Sequence, residues 1–156
     1  MLKITIITLG NKMPSWVEIA SREYSKRLSE FAQLNIIEIP LINRGKGQDL
    51  ERIIDKEALK IKKHIPKSSY IIALDITGKY FSSDNLAANL DKLQLTNSNI
   101  CFLIGGPEGL APDIVTLSEL RLSLSPLTLP HTLVRVVLLE TLYRCFSILA
   151  NHPYHK

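Results

Sequence analysis

Three stretches of this 156-residue chain hold residue types that can do chemistry. The first is Asn99–Leu110, N-I-C-F-L-I-G-G-P-E-G-L. Its apolar run, Ile100–Ile104, reads as a buried strand that stops at Gly105, Gly106, Pro107, Glu108 and Gly109. Ligands of open α/β sheets sit beyond the carboxyl ends of the strands. Glycine lets backbone approach a ligand with no Cβ in the way. The same glycines would equally serve a tight strand–helix connection with nothing bound. The second stretch is the end of the last helical run, where Glu140, Arg144, Ser147 and Asn151 recur on one helix face. Glu140 and Arg144 can pair for structure alone, or line a site. The third is the tail Asn151–Lys156, N-H-P-Y-H-K. Tyr154 can stack on a base, and His152 or His155 can donate hydrogen bonds or move protons near neutral pH. A chain end that merely frays has no need of such a concentration of rings.

Other candidates are weaker. Arg44 and Lys46, in the glycine-broken loop Asn43–Gly47, can contact phosphates, although a mobile surface loop explains them as well. Asp75 leaves an apolar strand and is either a catalytic carboxylate or an ordinary turn residue. Several common motifs are missing: GxxxxGK[ST], GxGxxG after the first strand, HExxH, paired CxxC and GxSxG. No metal site is expected. The net charge of +4 is compatible with a polyanion such as RNA but does not establish one. Cys101 and Cys145 lie far apart inside apolar runs, which suggests buried free thiols in a reducing compartment. The apolar start is too short and too alternating for a signal peptide. No stretch reaches the roughly 20 apolar residues of a membrane span. A cytoplasmic protein with no membrane partner is expected.

The elements that must hold these residues alternate. Strands are predicted at Lys3–Leu9, Leu34–Ile39, Tyr70–Leu74 and Ile100–Ile104, with a fifth at Arg121–Ser125. Helices are predicted from about Pro14 to Ser29, from a cap at Asp49 to His64, from Ser82 or Ser83 to Leu93, over Pro112–Leu120, and over His131–Ala150. This pattern gives an α/β fold with a mostly parallel sheet flanked by helices, in one domain. The last helix is apolar nearly all round and must be buried on more than one side. Its own sheet can cover one side only, so a homodimer built on this helix is expected.

Several uncommon strings occur together in order: T-L-G-N-K-M-P-S-W-V, R-G-K-G, L-D-I-T-G-K, L-I-G-G-P-E-G-L, L-S-L-S-P-L-T-L-P-H-T-L-V-R-V-V-L-L-E and Y-R…N-H-P-Y-H-K. Over essentially its full length the chain resembles the RlmH (YbeA-like) family. These are small SPOUT-class methyltransferases that methylate N(3) of a pseudouridine in large-subunit (23S) ribosomal RNA. The resemblance implies a single SPOUT domain with a C-terminal trefoil knot, a homodimer, and S-adenosylmethionine as methyl donor. Carried over by position, the cofactor pocket is Leu74, Gly105, Leu124, Ser125, Pro126, Leu127, Thr128 and Leu129. The catalytic candidates are Glu140, Arg144, Tyr154 and His155, with the tail of one subunit completing the site of the other. It further implies a substrate presented on the assembled ribosome. Two rivals are a non-catalytic RNA-binding ribosome-associated factor and a SPOUT enzyme acting on transfer RNA.

Overall fold

A computed structural model describes residues 1–156. Five strands form one sheet: β1 (Leu2–Leu9), β2 (Ala32–Ile39), β3 (Tyr70–Tyr80), β4 (Asn99–Ile104) and β5 (Leu120–Ser123). Every pairing is parallel and the order is β2-β1-β4-β3-β5. The helices are α1 (Ser15–Leu28), α2 (Leu50–His64), α3 (Ser83–Thr96), α4 (Pro112–Leu117) and α5 (His131–Leu149), followed by a 3-10 turn, Pro153–His155. The α/β class and the element order agree with the sequence pattern.

Strand order decides which face each helix covers. Parallel crossovers are right-handed, so a connection running one way along the sheet lies on one face and its reverse on the other. The β1–β2 and β3–β4 connections run one way, and the β2–β3 and β4–β5 connections run the other. Accordingly α1, α3 and α5 share the larger core, and α2 and α4 share the smaller. The central strands serve both, because side chains alternate along a strand. Ile100, Phe102 and Ile104 face the first core, while Cys101 and Leu103 face the second. Both cysteines are fully buried and free, and burial pushes each thiol up to about 12, so they act as small apolar filler.

Local chemistry sets the boundaries. Asp49 caps α2 by accepting from the Glu51 amide at 3.1 Å, and Ser82 caps α3 by accepting from the Asn85 amide at 3.1 Å. Asn151, at φ 55°, ends α5 in the left-handed conformation that asparagine tolerates. One expectation is corrected at β3. The sequence suggested a turn after Leu74, but the strand resumes and runs to Tyr80. Residues 75–78 form a bulge, since Leu74 and Lys79 both align with Leu122 of β5. Gly78 is required there, because a Cβ would lie 2.7 Å from the Arg121 carbonyl carbon and oxygen.

Candidate functional site

A cavity of about 760 Å³ lies beyond the carboxyl ends of β3, β4 and β5. That is within the usual size of a small-molecule site. Leu74, Asp75 and Ile76 come from β3, and Ile104 with the turn Gly105–Leu110 follows β4. Leu122–Ser125 and Leu127–Pro130 form the opposite wall, and His131 and Val134 of α5 close one end. Seven of the eight residues expected in a cofactor pocket are therefore brought together. Pro126 alone stands outside the lining.

The two walls differ in construction. Between Leu124 and Leu129 no backbone N–H or C=O pairs with another backbone group. The segment is braced by serine side chains: Ser125 Oγ accepts from the Leu127 amide at 2.9 Å, and Ser123 Oγ, at the end of β5, donates to the Ser125 carbonyl at 3.0 Å. The remaining main-chain groups are open to a ligand, as strong donors and acceptors that favour having partners. Leu127, 73% exposed, offers an apolar surface beside them. The glycine wall instead closes on itself. The Gly109 amide donates to the Gly106 carbonyl at 3.0 Å, and a Cβ on Gly105 would lie 2.4 Å from the Gly109 carbonyl carbon. Gly105 is thus demanded by its own loop rather than by a ligand.

Glu108, in that turn, is held from outside. Arg44 donates to its two oxygens at 2.9 and 3.0 Å and to both oxygens of buried Glu57 at 2.7 and 2.8 Å. A further bond, at 2.7 Å, runs to the Ile42 carbonyl, so every guanidinium N–H direction is engaged. The fork raises the pKa of Arg44 further, through Glu57 first and Glu108 second, and holds that of Glu108 below its ordinary value. Arg44 is therefore a structural clamp, which corrects its reading as a free phosphate contact. Lys46 stays exposed. Asp75 reaches the cavity wall with one oxygen committed to the Thr77 amide and hydroxyl, at 3.0 and 2.9 Å, as a turn residue would be.

The catalytic candidates assemble elsewhere on α5. Glu140 Oε1 accepts from Arg144 Nε and Nη2 at 3.0 and 2.6 Å and from the Tyr154 hydroxyl at 3.1 Å. The Tyr154 and Tyr24 hydroxyls are 3.3 Å apart, and the Tyr154 ring packs edge-on against Tyr143 at 4.6 Å between centroids. Arg144 lies 5.1 Å from the Tyr154 ring centroid. Burial first, then Tyr24 and Glu140, push the Tyr154 phenol above its usual range, so it is a neutral donor. The tail folds back through a 2.8 Å bond from the His152 amide to the Ser147 carbonyl, placing His155 with a buried Nδ1 that has no partner. Ser147 leaves the polar seam the sequence suggested: it is fully buried and donates to the Tyr143 carbonyl. At about 1.5 Å per residue, Arg144 lies about 15 Å along α5 from Val134 at the cavity. Cavity and tail cluster therefore occupy different ends of one helix.

The family model described as "Predicted SPOUT methyltransferase" matches residues 2–155. The chain belongs to the SPOUT methyltransferase family. Among its relatives, a Legionella pneumophila (strain Paris) protein named "Ribosomal RNA large subunit methyltransferase H" is 58% identical over 156 residues, covering both chains completely. A protein of the same name from Ectopseudomonas mendocina (strain ymp) is 44% identical over 155 residues, covering 99% of this chain and all of that one.

Three features of this SPOUT chain escape sequence reasoning. Arg135 reads as one polar position on an apolar helix, yet it is 4% exposed. It donates to Glu38 at 2.7 Å and to the Gly10 carbonyl at 3.2 Å, and so pins α5 to the ends of β2 and β1. His131 forms part of the cavity wall near the Gly10 turn. Glu57 is 1% exposed although it sits in a strongly charged helix. Its only signal is the apolar spacing of α2, on whose inner side it falls.

Proposed function

We propose that this chain, as one SPOUT domain, uses S-adenosylmethionine to methylate N(3) of a pseudouridine in large-subunit ribosomal RNA, on the assembled ribosome and as a homodimer. The relatives carry that RNA class in their names, and the donor follows from the family. The observation that carries the reading is the cavity wall Leu124–Leu129, with open backbone groups and exposed Leu127 beside it. Such a wall fits a purine: its main-chain groups would hold the base edge, and Leu74, Leu124 and Leu129 would supply apolar cover for the ring. When bound, S-adenosylmethionine supplies an activated methyl group on a sulfonium.

The other half of the chemistry belongs to the tail cluster. A ring N–H is a poor nucleophile until its proton leaves, and negative charge then spreads to the flanking oxygens. Arg144, held by Glu140, is placed to stabilise that charge. Neutral Tyr154 donates a hydrogen bond, and His155, with its unpartnered nitrogen, positions the base. The separation along α5 supports a second copy as the source of these groups. The half-covered strip Leu133, Val136, Val137, Glu140, Thr141 and Arg144 supplies the docking face. The trefoil knot implied by the resemblance belongs to the same reading.

Calorimetry with S-adenosylmethionine and methyl transfer to ribosomes and to transfer RNA test this together. Expected are donor binding and transfer to ribosomes alone. Tyr154→Ala and His155→Ala should each abolish transfer with donor affinity nearly intact. No binding at millimolar donor would replace the reading with a non-catalytic factor, and transfer to transfer RNA would replace the substrate.

A further inference from the structure

We infer that the outer face of α2 is the phosphate-docking surface for the RNA substrate. The inference rests on the RNA-methylating reading above and assigns it a surface.

The charge of this chain is concentrated in one segment. Residues 43–67 hold eight of the nineteen Lys and Arg and four of the fifteen Asp and Glu, so they carry the whole +4 excess. The remaining residues are balanced, eleven against eleven. Within the segment, Arg44 and Glu57 neutralise each other in the clamp, and Lys62 faces Asp113 at 3.8 Å. Arg52, Lys56, Lys60 and Lys63 are all exposed, and none makes an ion pair.

Helix geometry aligns these four. At 3.6 residues per turn they fall within about 80° of arc, in steps of about 6, 6 and 4.5 Å along the axis. Glu51 and Asp55 lie to one side of the strip. The buried residues Ile53, Glu57, Ala58 and Ile61 face inward. Lys46 and Lys67, both exposed, flank the helix in sequence on either side. A row of unpaired cations at regular rise suits a polyphosphate backbone, whose bound counterions such a row displaces.

Position gives the strip its use. The loop entering α2 is tied through Arg44 to Glu108 in the cavity wall, so backbone held along α2 is led towards the methyl-donor site. α2 covers the sheet face opposite α5, so a dimer formed through α5 leaves the strip free on each protomer.

The test is Arg52→Gln/Lys56→Gln/Lys60→Gln/Lys63→Gln in the full-length protein, using glutamine because it supports helix well. Four exposed lysines elsewhere, Lys3, Lys26, Lys79 and Lys92, are changed to Gln as a matched loss of charge. Expected for the α2 variant are a KM for ribosomal substrate at least tenfold higher, unchanged kcat at saturation and unchanged donor affinity. The slope of log K against log salt should become shallower by about 3, as for four lost phosphate contacts. An unchanged KM and salt slope would overturn the inference and leave the methylation reading standing. Equal losses in both variants would overturn it too, because net charge rather than the strip would then govern binding. If wild-type protein transfers no methyl group, the methylation reading fails by itself. Filter binding of large-subunit RNA to the same variants then decides the inference.

Discussion

At the scale of single residues, the decisive side chain is one whose sequence context suggested something else. Arg44 sits in a glycine-broken basic loop, yet its five N–H groups are spent on Glu57, Glu108 and Ile42. Arg44→Ala strands the Glu57 carboxylate, 1% exposed, with the Ile42 amide as its remaining donor. Loss of one partner of a buried pair costs about 3–5 kcal/mol, which denaturant unfolding should register. Arg44→Lys keeps the charge but cannot bridge two carboxylates, so it should unfold less readily than Arg44→Ala while binding donor several-fold more weakly than wild type. Acid supplies an independent handle. The guanidinium holds Glu108 below its ordinary 4.5, so this contribution is fully present above 4.5 and is lost as pH falls through the lower folded value. Donor affinity of the wild type should therefore stay flat down to about pH 5, and Arg44→Lys should begin to lose affinity at higher pH than wild type does. Tyr154 poses the opposite question. Its phenol is pushed upward by burial, Tyr24 and Glu140, so it stays protonated at working pH. Tyr154→Phe should lower kcat yet keep the shape of the pH–rate profile. Disappearance of the basic limb would instead make Tyr154 the proton acceptor.

At the scale of elements, the turn after β4 is the least forgiving. A Cβ at Gly105 meets the Gly109 carbonyl carbon at 2.4 Å, and that neighbour is backbone. Gly105→Ala should cost about 1–3 kcal/mol by overpacking and remove donor binding, both measurable by thermal melting with and without donor. This turn was legible in the sequence because a β-branched apolar run and a cluster of glycines are local signals. The same holds for the caps Asp49 and Ser82 and for the stripe of α2. What was not legible depends on pairing across the chain. Residues 75–78 look like the end of a strand, and only the register against β5 makes them a bulge. Ser147 shares helical spacing with Glu140 and Arg144, but its burial depends on what covers α5. Arg135 owes its role to Glu38, which is 97 residues away in sequence. In the candidate site, the Gly105 turn, the Glu140 and Arg144 face and the tail rings Tyr154 and His155 were legible from residue type and spacing, whereas Leu74 and Leu124–Leu129 came from matched strings. The open backbone of Leu124–Leu129 depends on the folded path of the chain, since no residue type announces an unpaired amide.

At the scale of the whole molecule, the distance between cavity and tail is the fact to be explained. Both are borne by α5, about 15 Å apart along its axis from Val134 to Arg144, so a rigid helix cannot bring them together within one protomer. The strip of α5 left half-covered supplies the surface on which a second copy would reverse that arrangement, setting each cavity against the partner's tail. Mixed dimers separate this from a site contained in one chain. One protomer carries Tyr154→Ala/His155→Ala, and the other carries Thr128→Trp to fill the cavity. Each homodimer should be inactive. If sites are shared, a mixed dimer joins the intact cavity of one protomer to the intact tail of the other and regains one site of two. Random mixing of equal amounts should then restore about a quarter of the wild-type rate. No recovery in mixtures that native mass spectrometry shows to contain the mixed dimer would place both halves of the chemistry in one chain. The tail would then have to leave its contacts with Tyr24 and Glu140 and travel the length of α5 before each turnover.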